Sequence, residues 1–407
     1  MRRTSFIYAL VVVLIAVFTL PVSAQDTGGV IKIVSQSPLS GSQAASGAGL
    51  RNGAELAIEQ LGGPLRELGF ELQFVPYDDQ ALPETGVANA QSIVADPAVL
   101  AVIGHYNTGV AIPSSEVYNQ HNLVLVSPAN VGPALTDRGL PTVNRVVGRD
   151  DRQGPTGARF AATLDGVDAI YILHDTTSYG QGVADYFRRE AEALGLTVLG
   201  FDGTEERSNF DTILQPILAM QPDLIYTGGM FDQFGVFANQ ARAAGYDGLF
   251  MGADGLDSPE YAELGGEAVV GSYFTTVAGP ASLYPAAAQF IEDYTARYGE
   301  VPTPFAAQSY DSAGVIIAAL ERLVEANGAV VPTRAELAAE VRATVDYEGI
   351  TGTITFDAVG DPEFSNYYVI QISSADPALW SDNTVISTLE LPSPLAAQAM
   401  SEATPES

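Results

Sequence analysis

From Ile31 onward the chain alternates short runs of β-branched and aliphatic residues with longer segments whose apolar side chains recur every three to four positions, and each run closes in glycine or polar residues. That rhythm is the signature of βαβ units and predicts an α/β fold with parallel sheets. Strands are expected at 31–35, 72–77, 100–104 and 123–126, with helices between them at about 49–60, 84–95 and 110–119. In the first helix Leu50, Ala54, Ala57 and Ile58 share one face, as packing on a sheet requires.

A second series follows Arg149-Asp150-Asp151, with strands expected at 169–173, 197–201, 224–227 and 248–251 and helices at 181–194, 210–219 and 231–244. Beyond it a strand is expected near 269–275, helices at 285–297, 306–326 and 334–344, and strands at 352–356 and 367–372. Each series is large enough for its own sheet, and the lack of a fixed-period repeat argues against a solenoid. Segments 148–155, 277–280 and 358–362, rich in glycine, proline and acidic residues, read as crossovers between two lobes. The stretch 391–407 is rich in Pro, Ser, Ala and Glu, lacks periodicity and is expected to be disordered.

The N-terminus adds an address. Met1-Arg2-Arg3 precedes an uncharged run over 7–22 that ends in Val22-Ser23-Ala24, small residues at the positions a signal peptidase reads. The run contains Thr19 and Pro21 and falls short of the ~20 apolar residues of a spanning helix, so a cleaved signal peptide is expected over a retained anchor. The mature chain would begin near Gln25 and be exported, soluble, to a periplasm or cell surface. There is no cysteine, which removes lipid anchoring through cysteine, disulfides and thiolate metal sites. A net charge of −31 repels phosphates and anionic lipid, so nucleic acid is not an expected partner. Lys32 is the sole lysine.

Candidates for catalysis are thin. Histidine occurs at His105, His121 and His174 without a partner at metal-ligand spacing; His105 and His174 each follow an expected strand and read as structural or cleft-wall residues. The glycine-rich stretch 40–49 lies where a phosphate loop would, but lacks the Gly-Lys-Ser/Thr ending and the dinucleotide spacing. Asp254-Gly255-Leu256-Asp257 lacks the ligand spacing of a calcium loop. No cofactor, metal or enzymatic reaction is therefore expected.

The loops after the strands are more informative. Gly104-His105-Tyr106-Asn107-Thr108-Gly109 joins a strand to a helix, where the unpaired N–H groups of a first turn and the Thr108 hydroxyl suit a carboxylate, unless Thr108 merely caps its helix. Ser127-Pro128-Ala129-Asn130-Val131 forms a second loop at the same sheet edge and could add backbone donors. In the second series Tyr179 and Asp254 each follow a strand. An acid there could pair with an ammonium and a ring could cover apolar ligand surface; the plainer readings are a packing tyrosine and a turn aspartate.

Together these segments resemble the leucine/isoleucine/valine-binding proteins, the periplasmic substrate-binding components of branched-chain amino acid ABC importers. The likeness runs from about Ile31 to Phe356. It is carried by Pro38-Leu39-Ser40-Gly41, Tyr77-Asp78-Asp79, Ile103-Gly104-His105, Ser127-Pro128-Ala129, Gln153-Gly154-Pro155-Thr156, His174-Asp175, Ser178-Tyr179-Gly180-Gln181-Gly182, Tyr226-Thr227-Gly228-Gly229 and Phe250-Met251-Gly252. It implies a type I periplasmic-binding fold: two Rossmann-like α/β lobes with parallel sheets, joined by a three-segment hinge and closing over a ligand. On that plan residues 1–24 are the signal peptide, 25–148 with 278–358 the first lobe, 149–277 with 359–375 the second, and 376–407 a partly disordered extension.

The resemblance further implies that Thr108 and backbone groups near Ala129 and Val131 hold an α-carboxylate, that Asp254 holds an α-ammonium, and that Tyr179 borders the ligand. The side-chain pocket departs from the family pattern. Ser46 and Met230 stand where aromatics are often found, and Tyr106 and Asn107 occupy the leucine- or cysteine-like wall positions. Val131 lacks the usual hydroxyl and Asp254 is one methylene shorter than the frequent glutamate. The leading expectation is a monomer that captures an amino acid, branched-chain or otherwise aliphatic, and delivers it to ABC permease subunits in the membrane. Its rivals are a binder of urea, short amides or aromatic acids on the same fold, a ligand sensor for a separate receptor, and an exported hydrolase, for which no nucleophile–base pair is evident.

Overall fold

The computed structural model describes residues 29–403, so the expected signal peptide lies outside the described residues. Five parallel strands form the first sheet, in the order Glu71–Asp78, Val30–Ser37, Val99–Gly104, Val124–Ser127, Val143–Arg145. The strand Val99–Gly104 is buried throughout, as a strand covered on both faces must be. Its alternation shows how: Ala101 and Ile103 join a core with the helices Ala44–Leu61 and Ala306–Ala326, while Val102 joins another with Pro83–Ala95 and Thr108–Gln120.

The second sheet has seven strands, in the order Thr384–Pro392, Phe364–Gln371, Tyr273–Thr276, Leu249–Gly252, Leu224–Gly228, Ala169–His174, Thr197–Gly203. The last five are parallel, and Phe364–Gln371 runs antiparallel to both of its neighbours. Ile170 and Ile172 pack with the helices Asp150–Ala161 and Ser178–Ala193, whereas Tyr171 and Leu173 face the core that holds Phe231–Ala243. The chain leaves the first sheet after Arg145, returns after Thr276 to supply the helix Ala306–Ala326, and rejoins the second sheet at Phe364.

A buried ion network ties the first of these passages to the last. Arg145 Nε donates to one oxygen of Asp361 (2.6 Å) and Arg149 Nη1 to the other (2.7 Å), while Thr136 Oγ1 also donates to Asp361 (2.8 Å). Burial works to raise the Asp361 carboxyl, but the two guanidiniums hold it below its usual range.

Several sequence expectations are corrected. The first helix begins at Ala44, so most of the glycine-rich stretch is helical instead of looped. Its glycines are there for close approach: a Cβ on Gly47 would stand 1.8 Å from the Pro38 carbonyl oxygen, and one on Gly53 2.1 Å from that of Ala306. Segment 148–155 is not a free crossover, because a helix starts at Asp150 and carries Pro155 inside it. The strand expected near 269–275 is displaced to Tyr273–Thr276 behind a 3₁₀ turn at Gly266–Val269, and that at 352–356 shrinks to Thr353–Ile354, paired with Tyr347–Glu348. The tail is ordered through 403. Thr384–Pro392 pairs with Phe364–Gln371, and the helix Pro394–Ala403 starts where the Ser393 hydroxyl accepts from the Ala396 N–H (3.1 Å).

Candidate functional site

Loops at the carboxyl ends of both sheets enclose a cavity of about 350 Å³. The first lobe contributes Tyr106, Asn107, Thr108, Ala129 and Val131, and the second Tyr179, Met230 and Asp254. Of the residues expected from the sequence to contact the ligand, Ser46 alone is off this wall. It lies inside the helix Ala44–Leu61 and bonds the Tyr106 hydroxyl instead. Tyr106 thus supplies the ring that a small residue at 46 does not.

At one end the plainer reading of Thr108 fails. It is the first helical residue; the capping position falls to Asn107, whose side chain makes no capping bond and whose Nδ2 donates to Gln43 Oε1 (2.9 Å). The Val110 and Ala111 N–H groups donate to Asn107 O (3.1 and 3.0 Å), which leaves those of Thr108 and Gly109 beside the Thr108 hydroxyl without an acceptor in the helix. The neighbouring loop is held in a fixed attitude by its carbonyls. Arg145 Nη1 donates to Asn130 O (2.8 Å) and Gly132 O (3.1 Å), and the Asp150 N–H donates to Val131 O (2.9 Å). Because a trans peptide points its N–H opposite to its carbonyl, the Val131 N–H is directed away from Arg145. The buried Asn130 side chain staples the two loops: its Oδ1 accepts from the His105 N–H (3.0 Å) and its Nδ2 donates to Tyr106 O (3.0 Å).

The other end is acidic. The buried Tyr179 hydroxyl donates to Asp254 Oδ1 (2.7 Å) and accepts from the Gly255 N–H (2.6 Å), so Tyr179 is an aligning partner of the acid as well as a ring. Tyr179 sits in the first turn of its helix, which Thr177 caps by accepting from the Gly180 N–H (3.0 Å). Burial pushes Asp254 up to about 6, against the lowering effect of the bonds from Tyr179 and Gln153. Asp150, assigned from sequence to a crossover and so overlooked, is also buried, and neither of its carboxylate oxygens has a hydrogen-bond partner. Burial first, and the Asp254 charge second, hold its proton well above the usual range. Asp150 is not on the cavity wall, but the repulsion between it and Asp254 is one that a cation at Asp254 would relieve.

Further wall residues went unread in the sequence: Gln43, Phe305, Asp175 and Arg207. Phe305 adopts a left-handed backbone (φ 69°) and meets Tyr106 edge-on, with centroids 6.2 Å apart. At the mouth Ser42 Oγ of the first lobe donates to Asp232 Oδ2 of the second (2.5 Å), which also pairs with Arg207 Nη1 (3.1 Å). The two histidines are not on the wall. His105 is buried beside Asp79 (3.1 Å) and Tyr118, and His174 Nδ1 accepts from the Thr176 N–H (3.1 Å). The Asp254–Asp257 loop divides its acids, since Asp257 accepts from Trp380 Nε1 (2.9 Å) and lines a different cavity. Among the described residues no cluster of potential ligands could hold a metal ion, and no helix is long and apolar enough to cross a membrane.

The chain is similar to known proteins over most of its length. Residues 30–377 match the family described as periplasmic binding protein. A Leu/Ile/Val-binding protein homolog from Brucella abortus is 31% identical over 336 residues, covering 82% of this chain and 88% of the relative. The leucine-, isoleucine-, valine-, threonine- and alanine-binding protein of Pseudomonas aeruginosa is 30% identical, covering 83% and 88%. The crystal structure of a leucine binding protein from Thermotoga maritima superposes with a TM-score of 0.79 at 27% identity, covering 88% and 98%.

Proposed function

The chain belongs to the periplasmic binding protein family, is of the Leu/Ile/Val-binding type and has its type I fold, and from that premise we propose that it captures a free aliphatic α-amino acid between its lobes and delivers it to an ABC permease. The observation that supports this most is the separation of charge preference within one cavity. Backbone N–H groups and the Thr108 hydroxyl come from the first lobe, and the Asp254 carboxylate from the second. An α-amino acid carries a carboxylate and an ammonium on one carbon and satisfies both ends at once. Tyr106, Met230 and Phe305 add apolar surface to a lining that also holds Gln43, Asp175 and Arg207, and that surface favours an aliphatic side chain. Because each lobe supplies one half of the clamp, ligand favours the closed arrangement through contacts that only closure completes. One chain encloses the whole cavity, so a monomer suffices.

Calorimetry against the twenty amino acids, with urea, acetamide and benzoate as comparators, tests the reading. Heat is expected from one or a few aliphatic amino acids and none from the comparators. Asp254→Ala should weaken that binding by ~2–5 kcal/mol, because the ammonium would lose a buried charged partner. A folded protein that binds no amino acid, or that binds benzoate equally well with and without Asp254, would overturn the proposal.

A further inference from the structure

A second cavity, of about 290 Å³, shares Phe305 with the first. Its walls come from both lobes and from the C-terminal extension, which brings in Trp380 and Asn383. The rings of Phe274 and Trp380 stack there, with centroids 5.7 Å apart and planes within 10°. Trp380 Nε1 donates to the buried carboxyl of Asp257 (2.9 Å). Glu260 and Glu300 add two more acids to the lining, which includes no lysine or arginine. Asn383 is buried with its Oδ1 accepting from the Ser373 N–H (2.9 Å), while its Nδ2 has no hydrogen-bond partner. A predominantly apolar hollow with stacked aromatics, acids without a counter-cation and one unused donor has a definite chemical preference. A ring fills the apolar part, a cation answers the acids and can lie against an aromatic face, and an oxygen accepts from Asn383.

We propose that this cavity is a second binding site, for an aryl-alkylamine that carries a ring hydroxyl. The ring lies against Phe274 and Trp380, the ammonium beside Asp257, and the hydroxyl oxygen accepts from Asn383 Nδ2. Anionic ligands are repelled by the three acids. Since both lobes line the site and Phe305 is a wall of each cavity, occupancy of one site changes affinity at the other, reciprocally. The assignment does not depend on what the first cavity takes.

Trp380 is the only tryptophan in the chain, so its fluorescence reports on this cavity directly. The full chain and its Asp254→Ala variant would be titrated with tyramine, tyrosol and 4-hydroxyphenylacetate, which share a phenol ring and differ in the charge of the terminal group. Tyramine should shift Trp380 emission saturably in both proteins, with at least ~10-fold tighter binding than tyrosol, the factor expected when one charge-assisted contact is gained. 4-Hydroxyphenylacetate should be silent. Filling the cavity with Ala378→Phe, or with Ala281→Leu should the first variant misfold, should abolish the tyramine response and leave binding in the first cavity detectable. No response to tyramine, equal responses to all three probes, or unchanged tyramine affinity in the filled variant would overturn the assignment.

Discussion

Tyr179 shows how much one side chain's role depends on its hydroxyl. From sequence it was a ring at a strand end; in the structure its oxygen bridges the Asp254 carboxylate and the Gly255 N–H. Tyr179→Phe keeps the ring but leaves a buried N–H without its acceptor and removes a bond that favours ionised Asp254, a loss of ~1–3 kcal/mol in the site. Amino acid affinity at pH 7 should therefore fall, and the pH midpoint of binding should move above its wild-type position near 6, set by Asp254. Calorimetry between pH 5 and 8 checks this; an unchanged midpoint would return Tyr179 to a packing role. Thr108 and Asp254 were legible because strand-end loops are where sheet topology gathers ligands. Asp150 was not legible, since its value depends on burial beside Asp254, and neither was the Tyr106–Ser46 exchange, which joins two residues brought together only by folding.

At the scale of elements, the sequence places the start of the helix Ala44–Leu61 near residue 49, five residues late, because its first residues, Ala44-Ala45-Ser46-Gly47-Ala48, read as part of a glycine-rich loop. Gly53 lies against the backbone of the helix Ala306–Ala326, so the missing Cβ is what permits the contact. Gly53→Ala gains up to about 1 kcal/mol of helix propensity but forces two helices apart, and overpacking of this kind costs ~1–3 kcal/mol. The variant should melt lower than wild type. Gly182, in the helix Ser178–Ala193, meets nothing within 4 Å, and Gly182→Ala should melt higher. Thermal denaturation of both variants separates the two uses of glycine; a gain at Gly53 would deny the close approach. The strand Phe364–Gln371 is expected from the sequence at 367–372, but its antiparallel partner Thr384–Pro392 is not, and proline-rich composition masks the Ser393-capped helix behind it.

For the whole molecule, acidity acts on stability and on binding with opposite signs. Burial raises Asp254 and Asp311 to about 6, Asp257 to about 7, and Asp150 in the same direction. In the unfolded chain such groups titrate near ~3.9, so between these values the native state holds more protons than the unfolded one. Stability therefore rises as the pH falls from about 7.5 toward 5, and self-repulsion within a chain of net charge −31 relaxes in the same sense. Asp361, held low by Arg145 and Arg149, works the other way, but only below the ordinary carboxylate range. An ammonium needs Asp254 ionised, so amino acid affinity should be level above about 7 and fall up to ~10-fold per pH unit below about 6. Melting curves at pH 5 and 7.5, without and with the amino acid found by calorimetry, should show the unliganded midpoint higher at pH 5 and the ligand-induced rise larger at pH 7.5. If the unliganded midpoint is instead higher at pH 7.5, the buried acids are ionised and internally paired, and the clamp would have no unmet charge with which to select an ammonium.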